Sequence, residues 1–481
     1  MWIQSLIENL TETEVSSIET SQTIHDFSLT YLLIHYTFTP IASMASLEDG
    51  VMVSRQRRGR EEEEEEGMKK IVAMVLAGGA FSALGIMAGR RAKAAIPFGG
   101  MYRIIDFVLS NLMNSEVDYV GILAQYRPAS LIDHIGGGAS WDLYGRTRGI
   151  KILPPFKGET DSDWYRGTAD AVYQNLNFIR DHHPSEVLIL AGENVYSMNY
   201  QEVLNFHREK QADCTLVCNP LPTKNPHRFG IVSLDQDGRI ATYHEKPETI
   251  TGDFYSAGIY VFNAEFLLKK LTEDAANPES KHNFADDIIP AMLRAGDKFY
   301  GYPFRGYWAY CGTLEEYWQA NMDSLDEHTA LDLWKWNVRT NLDDSNVSGQ
   351  HPALFLPTSK VKRALISPGC KIGGIVENSV LSPGVVVEEG AVIRDSIIMN
   401  GTVIRTGAVV NRAIIDKGAE IGAGANLGVE DATSGTTGFD LTLIGKEVTI
   451  GNHAQIGRNV LINHGRVIGP NQRIESGRII Q

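Results

Sequence analysis

Glycines at 384, 401 and 418 stand 17 residues apart, and those at 390, 407 and 424 repeat the same interval. Each lies in an aliphatic-rich context: LSPGVVV, EEGAVI, MNGTVI, RTGAVV, DKGAEI. Gly451 and Gly457, six apart, resume the pattern. A six-residue period that turns aliphatic side chains inward and places Gly at corners fits few folds. It predicts a parallel β-helix over residues 361–481. Such a helix commonly mediates subunit contact. The stretch from Glu430 to Asp440 (EDATSGTTGFD) is too polar and Gly-rich for a coil, so a loop thrown out of the helix is expected there.

Ahead of the repeats, residues 68–305 alternate short apolar runs with amphipathic segments. Strands are expected at 71–76, 119–123, 187–191, 214–218, 229–234 and 258–262, and helices at 103–114, 168–180, 200–210 and 286–295. Strand–helix alternation argues for an α/β domain, a mostly parallel sheet covered by helices on both faces. Ligands of such sheets bind beyond the carboxyl ends of the strands. Residues 306–360, with Trp308, Trp318, Trp334 and Trp336, read as a connecting segment.

Residues 1–67 do not share either pattern. Phe27 to Leu47 carries no charged residue and just reaches spanning length, yet His35, Pro40 and several Ser and Thr dilute it, so a membrane span is not expected. The segment lacks the basic start of a secretory signal, and Glu8, Glu12, Glu14 and Glu19 are wrong for a transit peptide. Arg55 to Arg60 followed by six glutamates reads as a solvated, disordered linker, and Met68 stands immediately ahead of the first strand. The net charge is −15, and about −9 without that glutamate run, which argues against a nucleic-acid partner. Four cysteines (Cys214, Cys218, Cys311, Cys370) suit neither a zinc ribbon nor a disulfide framework and are expected as reduced core thiols. A cytoplasmic protein is the expectation, with a plastid as the alternative.

The segment from Met74 to Asp106 carries the chemistry. A buried strand breaks at Gly78-Gly79, a basic cluster follows (Arg90, Arg91, Lys93), and a second turn lies at Pro97 to Gly100. A strand ending in a Gly-containing loop ahead of cations suits phosphate groups, since the loop offers backbone N–H groups and the cations offset charge. Glycines in a plain turn are the competing reading.

This stretch closely resembles the sugar-nucleotide pyrophosphorylases, and among them ADP-glucose pyrophosphorylase (glucose-1-phosphate adenylyltransferase). The resemblance rests on Leu76-Ala77-Gly78-Gly79, Arg91-Ala92-Lys93, Pro97-Phe98-Gly99-Gly100, Tyr102-Arg103, Ile105-Asp106-Phe107 and Leu109-Ser110-Asn111. It continues with Gln125-Tyr126, with WYRGTADAVYQN from Trp164 to Asn175, with Glu245-Lys246-Pro247, and with Ser256 to Phe262. It implies an α/β nucleotidyltransferase domain followed by a left-handed parallel β-helix. It implies ATP, ADP-glucose and glucose 1-phosphate as ligands, Mg2+ as the cofactor of an active chain, and a role in glycogen or starch synthesis. The substrate-binding residues it implies are Gly78, Gly79, Gln125 on the adenine side, Tyr165, Gly167, Asp170, Glu245 on a sugar hydroxyl, Lys246 on the sugar phosphate, and Ser256 facing the sugar. Lys93 is the implied catalytic cation.

The departures are equally specific. Phe81 stands in place of the family's third glycine, Ala83 in place of its arginine, Ala94 in place of a proline, and Met101 in place of a basic residue. Glu193 replaces the first metal-binding aspartate, keeping the charge on a longer arm. Tyr310 stands where the second aspartate belongs, and Ala309 removes a cation beside it. Octahedral magnesium tolerates displaced ligands poorly, and a neutral phenol does not replace a carboxylate at pH 7. The expectation is therefore a chain that keeps its sugar ligand while adenylyl transfer is weak or absent, acting as a regulatory-type subunit in a homo- or hetero-tetramer with a catalytic family member. An anionic effector is a further expected ligand, for which Arg90, Arg91 and Lys93 are as suitable as for a substrate phosphate. Two other readings remain open. One is an active adenylyltransferase in which Asp287 or Asp253 helps Glu193 hold the ion. The other is an acyltransferase that uses His453 or His464 of the β-helix as base.

Overall fold

The apolar run Ile71–Leu76 forms β1, whose four middle residues are buried and which lies at the centre of the first sheet. A computed structural model describes residues 70–79, 84–156, 164–222, 225–429 and 440–481. The extension 1–67, Phe81, Ala83 and residues 430–439 of the expected loop lie outside these ranges.

After β1 come α1 (Ile104–Asn114), β2 (Tyr119–Leu123), α2 (Ala129–Ile135), β3 (Gly149–Leu153), α3 (Thr168–Tyr173) and α4 (Leu176–His182). Then follow β4 (Glu186–Ala191), β5 (Asn194–Tyr196), α5 (Tyr200–Glu209), β6 (Cys214–Pro220), β7 (Gly230–Leu234), β8 (Ile240–Glu245) and β9 (Phe254–Asn263). Next come α6 (Ala264–Ala275), α7 (Ile289–Ala295) and β10 (Phe299–Pro303), and β11 (Trp308–Tyr310) and α8 (Leu314–Asp323) follow in the connecting segment. The main path of the sheet runs β8-β7-β9-β4-β1-β2-β3, with β6 beside β9 and β10 beside β6. Its β4-β1-β2-β3 half is parallel. β9 is antiparallel to β4, β6 and β7; β7 and β8 form a hairpin, and β9 returns on the other side of β7, parallel to β8. The sheet is thus mixed, and its parallel half sets the ligand end. Leu76, Leu123 and Ala191 end their strands in register.

Local chemistry explains the helix starts. The Asp106 carboxylate accepts from the Arg103 backbone N–H at 2.9 Å ahead of α1, and the Asn199, Asn263 and Thr313 side chains cap α5, α6 and α8. The helix expected over 168–180 is two helices. Asn175 breaks it by turning its amide to the Ala171 carbonyl (2.9 Å) and the Tyr165 hydroxyl (3.0 Å).

The repeats form stacked parallel coils. One ladder runs through Lys371–Ile372, Val386–Val387, Val403–Ile404, Glu420–Ile421, Thr449–Ile450 and Val467–Ile468. A second sheet curls through the remaining faces, and Ile372, Val387, Ile404, Ile421 and Ile450 point into one shared core. Gly401 and Gly418 turn corners at φ 66° and 68°, a region closed to most side chains. This is the arrangement expected of a left-handed parallel β-helix.

The segment Leu84–Phe107 lies between sheet and β-helix. Leu84, Met87, Ile96 and Phe98 share an apolar cluster with Val380, Ile397 and Met399 of the β-helix. The Arg91 guanidinium donates to both Asp416 carboxylate oxygens, at 2.7 and 2.5 Å, with the two side chains 8% and 0% exposed. Removing one member leaves a buried charge uncompensated, the costly way to lose such a pair. Arg91→Ala is expected to lower stability by about 3–5 kcal/mol in chemical denaturation, and adding Asp416→Ala to recover much of it.

Candidate functional site

Beyond the carboxyl ends of β1, β2 and β4 opens a cavity of ≈ 350 Å³. Of the residues singled out in the sequence, Gly78, Gly79, Gln125, Tyr165, Gly167 and Glu193 line it. The backbone at Gly78 lies so close to Gln125 that a Cβ there would meet the Gln125 amide nitrogen at 3.1 Å. A Cβ at Gly167 would collide with the His282 carbonyl. Close packing of the cavity wall therefore demands glycine at 167 and leaves little room beyond it at 78.

The adenine-side glutamine is held by its neighbour. The Gln125 Oε1 accepts from the Tyr165 N–H at 2.5 Å, and its amide group reaches the Tyr165 carbonyl at 3.5 Å. The Tyr165 hydroxyl donates to the Leu153 carbonyl at 2.9 Å and accepts from Asn175; burial pushes it up to about 12. Asp170 is 2% exposed and turned away from the cavity. Its carboxylate accepts from the Arg166 N–H and guanidinium, both at 2.9 Å, and from Gln174 at 2.8 Å, which fixes the turn before α3. Thr168 and Asn283, not singled out in the sequence, also line the cavity, where the Thr168 N–H donates to Asn283 Oδ1 at 3.1 Å. The GTAD motif held the first of these in plain view; no spacing pointed to Asn283.

Glu245, Lys246 and Ser256 are not among the residues lining this cavity. Glu245 accepts from the Tyr243 hydroxyl at 2.8 Å and pairs with Lys246 at 2.9 Å, and the Lys246 side chain is 65% exposed. Ser256 accepts from the Gly258 N–H at 3.2 Å on the stretch of β9 that packs against Ala191.

The metal positions come together through strand pairing. β11 runs antiparallel to β5, with Tyr310 opposite Asn194 and thus one residue from Glu193. Lys93, 1% exposed, reaches into the gap. Its Nζ lies 3.4 Å from Glu193 Oε2 and 4.3 Å from the centre of the Tyr310 ring. Tyr310 also lines a second opening of ≈ 570 Å³, where Arg228 lies 5.3 Å from the ring centre. Burial and the Glu193 charge push the Tyr310 phenol up to about 12, so it is neutral. Burial pushes the Glu193 carboxyl up, opposed by the Lys93 charge and hydrogen bond.

These residues do not fit the magnesium ion that the resemblance implies. Position 193 offers a carboxylate already paired with an ammonium, and position 310 offers a ring face. Asp287 accepts from the backbone N–H groups of Lys281 and Asn283, and Asp253 lines a separate cavity. Among the described residues no group of three His, Cys, Asp or Glu is placed to hold a metal.

The basic cluster of the sequence is not one site. Arg91 turns to the β-helix and Lys93 to the sheet, while Arg90 is exposed at the rim of a larger cavity of ≈ 760 Å³ between sheet and β-helix. Ala92 between them is extended, and a 3-10 turn, Lys93–Ala95, begins at Lys93. Arg90, Arg91, Arg103, Lys417 and Lys446 line the larger cavity together with Asp133, Asp343, Asp344 and Glu447. Burial, then Arg103 and Arg91, draw Lys417 down to about 8. Behind this wall His134, 1% exposed, bridges Asp106 (2.6 Å) and Asp344 (3.1 Å), and Arg103 holds Asp344 at 2.5 Å. Burial disfavours the His134 imidazolium most, but Asp106 and Asp344 together outweigh it and raise its pKa. A raised pKa stabilises the fold below the unfolded value of 6.5, and that contribution is lost as pH rises through the folded value. Melting curves across this range should show a fall in wild-type stability relative to His134→Gln as pH rises.

On the β-helix, His464 Nδ1 accepts from the Lys446 N–H at 2.8 Å and its Nε2 meets the Ile86 carbonyl at 3.1 Å, so both ring nitrogens are engaged. His453 occupies a left-handed corner at φ 56°.

The Nucleotidyl transferase family model matches residues 72–327, and the GlmU-like, C-terminal hexapeptide model matches residues 356–445. The chain is similar to the glucose-1-phosphate adenylyltransferase of Clostridium acetobutylicum, 46% identical over 322 residues, 66% of this chain and 83% of that protein. It is 45% identical over 325 residues to that of Desulforamulus reducens (67% of this chain, 80% of that protein). To that of Geobacillus stearothermophilus it is 44% identical over 323 residues (67% and 83%).

Proposed function

The chain belongs to the glucose-1-phosphate adenylyltransferase family, and from that premise we propose that it binds glucose 1-phosphate and ADP-glucose but transfers adenylyl groups weakly or not at all. The observation that carries this reading is the occupied metal position: Glu193 pairs with Lys93, and Tyr310 closes the other side. Adenylyl transfer from ATP to a sugar phosphate needs no strong base, because the attacking oxygen is already an anion. It needs alignment and compensation of the charge that develops on the phosphates. When bound, magnesium supplies that compensation. The residues left to align a ligand are those of the cavity wall, with Gly78, Gly79 and Gly167 admitting the ligand close to the backbone and Gln125 and Tyr165 fixing the base side. Glu245, Lys246 and Ser256 hold the sugar phosphate at the neighbouring ends of β8 and β9.

In this reading the α/β domain (68–305), the connecting segment (306–360) and the β-helix (361–481) form a regulatory-type subunit of a homo- or hetero-tetramer in glycogen or starch synthesis. The alternative is an active adenylyltransferase. Turnover of ATP and glucose 1-phosphate by the purified chain separates the two, and turnover at the level of an active relative would end the proposal. Glu193→Asp with Tyr310→Asp is expected to raise the rate by at least roughly 10²-fold, the usual weight of one preorganised electrostatic contact.

The cavity between sheet and β-helix is proposed to take an anionic effector. Lys417, with its proton destabilised by burial and neighbouring cations, supports this. An anion would restore the Lys417 proton, so the affinity for inorganic phosphate should fall as pH rises through about 8. In Lys417→Met that slope should vanish, as calorimetry at several pH values would read.

A further inference from the structure

We propose that Lys93 is a built-in cation: held between the Glu193 carboxylate and the Tyr310 ring, it takes the place of a divalent ion, so that the cavity takes up a nucleotide diphosphate without one. The inference rests on the binding reading above.

Three observations carry it beyond the loss of a metal ligand. The Lys93 side chain is fully buried, and a buried ammonium persists only where something compensates it. Among the described residues its Nζ faces the Glu193 carboxylate at 3.4 Å and the Tyr310 ring at 4.3 Å, and these two form the wall of its seat on this side. The seat is also built sterically. The Tyr310 ring folds back over Gly312, where a Cβ would collide with it, so the residue after Cys311 leaves room for this ring and no other placement is needed.

The position matters as much as the seat. Glu193 lines the glycine-walled cavity, and Tyr310 lines the opening behind. The ammonium thus lies behind Glu193 in the partition between them, fully buried and not itself lining the cavity, so that its charge acts on a diphosphate through the wall once the base lies against Gln125 and Tyr165. A fixed ammonium needs no ion from solution and no rearrangement on binding. It offers one positive charge where a divalent ion offers two, and it holds no solvent that could be displaced by a phosphate oxygen. Such a cation suits tight holding of a finished nucleotide sugar better than the passage of charge between phosphates.

Two measurements on the full chain test this. Calorimetry with ADP-glucose is run in EDTA and in saturating MgCl2; the affinity is expected to differ by less than about threefold between them. Paramagnetic resonance of added Mn2+, without nucleotide, is expected to find no tight ion in the wild type and one in Tyr310→Asp. Lys93→Met should weaken ADP-glucose by at least roughly tenfold in EDTA, and Lys93→Arg should keep most of the affinity. Wild-type binding that vanishes in EDTA and returns with magnesium overturns the inference, as does a tight Mn2+ ion in the wild type. No ADP-glucose binding in either medium overturns the binding reading and the inference with it, while a tight Mn2+ ion in the wild type overturns the inference alone. If Lys93→Met unfolds, shown by its melting curve, the wild-type measurements decide.

Discussion

The structure depends on a single buried stretch of chain, Leu84 to Phe107, that has protein on both sides. Two cations on it, two residues apart, point in opposite directions. Arg91 enters the β-helix and closes on Asp416; Lys93 enters the sheet and closes on Glu193. Neither side chain has solvent to fall back on, so each partner is obligatory. Cutting either pair costs about 3–5 kcal/mol in typical buried settings, comparable with much of a domain's net stability. The same stretch therefore joins the two architectures and shapes the floor of the cavity. A change in how it sits against the β-helix would be felt at Lys93 through a tightly wound turn of three residues.

The contacts around Lys93 differ in weight. A cation over a ring contributes about 2 kcal/mol when both are desolvated, less than a buried ion pair loses when one member is removed. Glu193 is thus the anchor and Tyr310 the cover. That order explains why the longer arm of glutamate matters little for the pair: the flexible Lys93 stem adapts to it, whereas a metal ion with fixed coordination distances would not.

Much of this was legible in the sequence. The glycine interval in the tail specified stacked coils because a corner at positive φ excludes most other residues, and the strands at 71–76 and 119–123 followed from continuous apolar runs. The reversal of β9 and the break at Asn175 were not, because the first is realised by pairing with strands distant in sequence and the second by one amide's choice of partner. At the site, Gly78, Gly167, Gln125 and Tyr165 were found by motif, and the structure brings them into one wall. The basic cluster misled, since adjacency in sequence does not say which partner each side chain finds: Arg91 meets Asp416 and Lys93 meets Glu193. Asp170 shows the complementary lesson: a motif residue marked for a ligand has its carboxylate engaged by Arg166 and Gln174, contacts visible only in three dimensions.

Charge at the partition then decides what the pocket demands. With aspartates at both positions and one lysine, the cluster would carry a net negative charge in a buried place, and a divalent ion would relieve it. With one glutamate, one lysine and a neutral phenol, the charges already cancel. Among the described residues, a divalent ion entering this cluster would meet an ammonium 3.4 Å from the Glu193 carboxylate, so repulsion would oppose the step that attraction would otherwise drive. Tyr310 thus does more than omit a ligand: among the described residues it leaves Glu193 as the carboxylate beside Lys93 and covers that pair with a ring.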